Sequence, residues 1–210
     1  MSRRKIAVIV GILFFVQMIT YMIGASLIEA FEGGDATRAS LTVGVLLTTC
    51  SGVAVVAIGV LMYRVLRDVD RRLAIWYPVL RVVEFSASTV FGAYLLIEQR
   101  PVPNHHLWVY IPTGIGGLIL TYLLFRSRLV PRPIAVLGIA GYAALLIAVP
   151  LDLLGVVDTG SGSGLALLAP GGLFEVLVFP VWLLAKGFTR QTARASLPPV
   201  NDRPTVRLAS

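Results

Sequence analysis

Six apolar blocks separated by short polar stretches constrain this chain more than any other feature. They run from Ile6 to Ile28, Leu41 to Tyr63, Leu73 to Ile97, Leu107 to Phe125, Ile134 to Leu154 and Leu165 to Ala185. A run of about 20 such residues crosses the hydrocarbon core of a bilayer as a helix. Lipid offers the backbone no hydrogen-bond partners, and a helix satisfies its own. The pattern predicts an all-α polytopic membrane bundle of six transmembrane helices over residues 1–188. Composition agrees, since 57% of the residues are hydrophobic and 14% charged, unlike a soluble domain. The first block follows Arg3, Arg4 and Lys5 as a signal peptide would. It is longer than the usual apolar region of about 7 to 15 residues and no A-x-A site follows, so it reads as a retained helix.

Orientation follows from where Arg and Lys fall, because positively charged loops resist translocation. One side would hold the N-terminus, the loop Arg64 to Arg72, the turn Arg126 to Arg132 and the tail from Lys186. These carry fifteen of the eighteen basic residues. The other side holds only Arg38 and Arg100, together with Glu29, Glu32, Asp35, Glu98, Asp152 and Asp158. Both ends are therefore expected in the cytoplasm, in a multi-pass protein of the cell (inner or plasma) membrane. The sixteen arginines against two lysines, with abundant Ala, Val, Leu and Gly, suggest a bacterial source.

Short loops make consecutive helices antiparallel neighbours. The Gly160-Ser161-Gly162-Ser163-Gly164 run reads as a flexible linker. Residues 189–210, with Arg190, Arg194, Pro198, Pro199 and Pro204, read as a disordered basic tail near lipid headgroups. Trp76, Tyr77, Trp108, Tyr110 and Trp182 fall near expected interfaces, where aromatic belts form. Cys50 lies within an apolar block and reads as a small packing residue, with no second cysteine for a disulfide.

A polar or small residue falls at or beside the midpoint of each block. These are Gln17, Ser51 with Cys50, Glu84, Gly116 with Gly117, Tyr142 and Glu175. Ionisable residues at that depth cost at least about 2.5 kcal/mol, which makes Arg81, Glu84 and Glu175 the first functional candidates. Arg81 and Glu84 share a helix face at i, i+3, and Ser88 continues it one turn on. Glu175 has no basic neighbour on its own helix before Lys186, so two carboxylates compete for one guanidinium. Together they carry a formal charge of minus one, which favours a proton held by one glutamate. Arg81 also has a stem long enough to snorkel to the headgroups. Pro170-Gly171-Gly172 weakens the sixth helix just before Glu175, and interrupted helices at that depth line cavities in many transporters. The candidate polar cavity thus comprises Arg81, Glu84, Glu175, Gln17, Ser88 and Tyr142.

Other chemistries lack their residues. The pI of 10.1 would suit nucleic acid, yet the basic residues lie between apolar blocks and not on one soluble face, so no nucleic-acid partner is expected. His105 and His106 are adjacent, with no H-E-x-x-H or cysteine cluster to complete a ligand set, and read as outer-loop residues. No metal, no cofactor and no catalytic residue is assigned. Gly114-Ile115-Gly116-Gly117 lacks the strand and lysine of a phosphate loop and reads as a close-packing helix face.

Three blocks carry a family resemblance. They are Tyr77-Pro78-Val79-Leu80-Arg81-Val82-Val83-Glu84, the stretch from Phe125-Arg126-Ser127-Arg128-Leu129-Val130-Pro131-Arg132 to Gly138, and Phe174-Glu175 through Lys186-Gly187-Phe188. With them the chain resembles, from the first helix to Phe188, the bacterial integral-membrane family called domain of unknown function 4386. The resemblance implies a compact multi-helix membrane domain and supplies no activity. The expected partners are the lipid bilayer and a small or lipophilic molecule, held as a binding or carrier protein would hold it. The alternative is a structural or partner-binding membrane protein whose buried charges set helix register. An intramembrane enzyme acting on a lipid or isoprenoid substrate ranks third.

Overall fold

The computed structural model describes residues 1–100, 102–159 and 162–189. Its elements are α1 (Arg3–Glu32), α2 (Arg38–Leu66), the single turn α3 (Arg71–Ala74), α4 (Trp76–Glu98), α5 (His105–Ser127), α6 (Arg132–Leu153), α7 (Gly162–Leu173) and α8 (Phe179–Ala185). A π-helical turn, Phe174–Val178, joins α7 to α8. Six helical spans are long and apolar enough to cross a membrane, with α3 and α4 forming the third and α7 to α8 the sixth. The described residues contain no strand. This is an all-α, multi-pass membrane protein, and all six expected spans are present.

Local chemistry starts the helices where polar residues flank the apolar blocks. Ser2, Thr37 and Asp70 each accept a main-chain hydrogen bond at the start of α1, α2 and α3, from Lys5, Ser40 and Leu73. These side chains satisfy amides that have no partner in the first turn. Helix α6 begins after Pro131 with Pro133 in its first turn, where a missing N–H costs nothing. Helices α1 and α2 begin about a turn ahead of their apolar blocks because the caps, and not hydropathy, set those ends.

Each span packs on its chain neighbour: α1 on α2, α2 on α4, α4 on α5, α5 on α6 and α6 on α7. The ring closes where α8 returns to α1, but among the described residues α7 has no comparable packing on α1. One end of the bundle is therefore shut and the other parted. At the shut end Arg4 donates to the carbonyls of Leu183 and Leu184 at 3.2 and 2.7 Å, satisfying the C-terminus of α8. Arg3 pairs with Asp68 at 3.1 Å and Arg126 with Asp70 at 3.3 Å. The four basic segments thus share one end of the molecule.

The core fills that end, where Phe174 stacks on Phe179 with centroids 5.0 Å apart and Phe14 meets Phe179 edge-on at 5.5 Å. Between apolar helices in lipid, contact depends on close packing rather than on escape from water. Two crossings require glycine. A Cβ on Gly24 would sit 2.8 Å from the Gly44 carbonyl oxygen of α2, and one on Gly141 would strike the backbone at Gly171. The outer surface carries exposed Ile12, Ile19, Leu46, Val60, Val82, Val90 and Leu177, as a lipid-facing surface requires.

Several expectations change. Gly162 to Gly164 begin α7 instead of remaining linker, while Gly160 and Ser161 lie outside the described residues. The expected tail is outside them from residue 190, with Arg190, Arg194, Pro198, Pro199 and Pro204. Thr189, its predicted first residue, is held by a main-chain bond to the Leu129 carbonyl at 2.8 Å. Cys50 faces out of the bundle, so it is not a packing residue. Trp76 and Trp108 lie on the outer surface as belt residues would, but Tyr77 is turned wholly inward.

Candidate functional site

The π-helical turn in the sixth span presents Glu175. Pro180, one residue into α8, has no N–H for the carbonyl of Val176, and its ring crowds that carbonyl. The wider turn just before it avoids the clash, and the Phe179 amide reaches back to the Phe174 carbonyl. The irregularity falls on Glu175 itself, whereas the expected weak point, Pro170-Gly171-Gly172, remains within helix α7.

Facing it, α4 supplies Tyr77, Arg81 and Glu84 at successive turns of one face. Arg81 is 3% exposed and points into the bundle, not to the headgroups. Its Nη1 lies 2.6 Å from the Glu84 Oε2, a charge-assisted hydrogen bond. Its Nη2 lies 3.8 Å from Glu175 Oε1. The competition for one guanidinium is thus settled unequally, with Glu84 holding the short bond. Glu175 draws its hydrogen bond from a third helix, where Tyr142 of α6 donates its phenol to Oε1. The Tyr142 ring lies over Gly117 of α5, where a Cβ would overlap it, so the close-packing glycine face holds this ring in place. Gly59 of α2 similarly borders the Arg81 stem, which a Cβ there would meet at 3.3 Å.

Beneath the guanidinium, the ring of Tyr77 lies 5.1 Å from the Arg81 Cζ, a cation–π contact. The Tyr77 hydroxyl and the Arg81 Nε are buried without a hydrogen-bond partner among the described residues. Buried polar atoms of this kind call for an ordered water or a ligand atom. Sequence reasoning gave Tyr77 to the interface belt. Its position one turn before Arg81, on the same face, was the signal that it belongs here.

A separate cavity of about 330 Å³ lies toward the parted end, between the distal halves of α1, α4 and α5, and none of the cluster residues lines it. Ser88, one turn beyond Glu84, lines it. So do His105 and His106, which begin α5 and are not loop residues, and Tyr110, which is not a belt residue. Of the six sequence-derived candidates, Arg81, Glu84, Glu175 and Tyr142 converge, while Ser88 faces the neighbouring cavity one turn from Glu84. Gln17 does not join by its side chain. Its main-chain carbonyl accepts the Ser51 hydroxyl at 2.9 Å, tying α1 to α2.

Fold and site together define a multi-pass helical membrane protein with an ion cluster buried inside its ring. Residues 94–187 match the model of a protein family described as "Domain of unknown function (DUF4386)". The expected resemblance is borne out over that stretch, which contains Tyr142 and Glu175 and stops short of the block with Arg81 and Glu84. No curated protein and no solved structure matches the chain.

Proposed function

We propose that this is a membrane-embedded binding or carrier protein for a small or lipophilic molecule. In this reading the ligand enters the cavity from the parted, acidic end and reaches the Arg81, Glu84 and Glu175 cluster past Ser88. The observation that carries it is the nearness of the two: Ser88 lines the cavity and lies one helical turn from Glu84. The volume of about 330 Å³ falls within the range of roughly 300–1,000 Å³ common to small-molecule sites. A ring shut at one end and parted at the other has the form of one state of an alternating-access carrier. The gathering of the basic segments at the shut end supports a cytoplasmic placement for that end, in the cell membrane.

The test is a thermal-shift screen of the protein in nanodiscs against small cations, anions and neutral lipophilic compounds. A true ligand at about 100 times its Kd adds roughly 2.7 kcal/mol to stability. Ser88→Trp, which fills the cavity, should abolish that response, and Glu175→Gln should reduce it, while each variant still melts cooperatively. No stabilising compound for the wild type, or an equal response from Ser88→Trp, would refute the reading.

The runner-up is a purely structural role for the same charges. It is favoured by the two links from Glu175, to Arg81 and to Tyr142, which tie three spans together. On that reading, neutral size-matched replacements would change melting and nothing else.

A further inference from the structure

The cavity at the parted end has two walls of different chemistry. One is a continuous run of rings across α4 and α5. Phe91 and His105 have centroids 5.8 Å apart, His105 and His106 5.9 Å, and His106 and Tyr110 5.7 Å. The last two pairs meet edge to face, so neighbouring rings present their planes at steep angles to one another. The opposite wall is the distal part of α1, with Glu29 and Glu32. Neither carboxylate is ion-paired among the described residues, and the described lining holds no lysine or arginine. One helical turn from Ser88, outside the cavity lining, lies Glu84 with Arg81 and Glu175, whose formal charges sum to minus one.

The chemistry of these walls selects a charge. The faces of Phe91 and Tyr110 carry negative quadrupole potential and attract cations, more strongly as water is excluded. Carboxylates on the facing wall add attraction for a cation and repel an anion. The ligand must also present an apolar body, because the wall opposite the carboxylates combines these rings with Leu95, Val102 and Val109. A hydrated inorganic cation would leave those rings without a partner.

We propose that the cavity binds a monovalent organic cation with a hydrophobic body, of the quaternary ammonium or phosphonium class. The cationic centre sits between Glu29 or Glu32 and the ring of Tyr110, and the apolar substituents lie against Phe91 and Leu95. This assignment rests on the reading of the cavity as a ligand site and narrows it to one chemical class.

Tetraphenylphosphonium and tetraphenylborate share shape and hydrophobicity and differ in the sign of their charge, so they isolate this property. Equilibrium binding of each to the protein in nanodiscs, with protein-free nanodiscs subtracted, should give saturable binding of the phosphonium only. The double substitution Glu29→Gln with Glu32→Gln should weaken it at least tenfold, and Tyr110→Leu severalfold. The double variant should melt within a few degrees of wild type without probe, because the two exposed carboxylates are at the cavity mouth. Wild-type affinity in the double variant, or borate bound as tightly as phosphonium, overturns the assignment. Saturable borate binding that Ser88→Trp removes would leave the ligand-site reading standing while the cation class falls. Absence of binding by either probe overturns the cation class, and the wider compound screen then judges the site on its own.

Discussion

The phenol of Tyr142 donates its hydrogen bond to Oε1 of Glu175, the same oxygen that faces the Arg81 guanidinium. Glu175 is thus held from two other helices, whereas Glu84 takes its short bond from the helix it shares with Arg81. The two carboxylates have different jobs as a result. The Arg81 and Glu84 pair neutralises charge inside α4, and Arg81 reaches the sixth span only through its longer contact with Glu175. Glu175 joins the fifth and third spans to the sixth.

Tyr142→Phe separates the hydrogen bond from the packing. The ring keeps its edge-on contact with Phe174 and its seat on Gly117, so the variant should fold. Loss of a buried hydrogen bond to a charged group costs about 1.5–3 kcal/mol. Reversible unfolding in mixed micelles should show a loss of that size. An unchanged midpoint would mean that Glu175 has found another donor.

Arg81→Met removes the cation and leaves two carboxylates facing an apolar stem. Breaking a buried pair from one side costs about 3–5 kcal/mol, because the partner's charge is left unmatched. Adding Glu84→Leu to the same chain should recover most of that loss, since the remaining carboxylate still has Tyr142. The coupling from this double-mutant cycle measures the pair directly. Additive effects would show that the 2.6 Å contact contributes nothing to stability.

The spans were legible because length and hydropathy decide whether a helix crosses lipid, and both are local properties of the sequence. Each residue adds a fixed rise along its helix, so counting to span midpoints grouped Glu84, Tyr142 and Glu175, which do meet around Arg81. Rotation was not legible. Gln17 falls at its block's midpoint as Glu84 and Glu175 do at theirs, but its side chain takes no part in their hydrogen-bonded cluster, because midpoints carry no information about azimuth across helices. The i, i+3 spacing of Arg81 and Glu84 did carry azimuth within one helix, and that pair forms. Tyr77 and Tyr110 were misassigned because an aromatic residue near a helix end has the same spacing whether it faces headgroups or the bundle interior. The π-helical turn at Glu175 had a local signal in Pro180, five residues on, which was overshadowed by Pro170-Gly171-Gly172.

Two glycines of the last spans should respond oppositely to alanine. A Cβ at Gly141 would collide with the backbone of Gly171 and Pro170, so Gly141→Ala must push α6 from α7. Overpacking of this kind costs about 1–3 kcal/mol. At Gly172 a Cβ meets nothing within 4 Å, so Gly172→Ala should be neutral or should stabilise α7 by roughly 0.5–1 kcal/mol. Melting of the two variants under identical conditions decides it, and similar effects would contradict the close crossing.

Topology gives the last prediction, and it bears on how the cavity is reached. The basic segments meet at the shut end, so Arg67 in the turn after α2 and Asp35 in the turn before it lie at opposite ends of the same helix. Cys50 is exposed on the bundle surface partway along α2 and would confuse labelling, so Cys50→Ser is the background. In intact cells a membrane-impermeant maleimide should modify Asp35→Cys directly. Arg67→Cys should react only after the membrane is opened. Both side chains are exposed in the fold, so the difference between them reports the membrane and not burial. The reverse pattern would invert the protein, turning the cavity mouth with Glu29 and Glu32 toward the cytoplasm and making the cavity a site for cytoplasmic ligands.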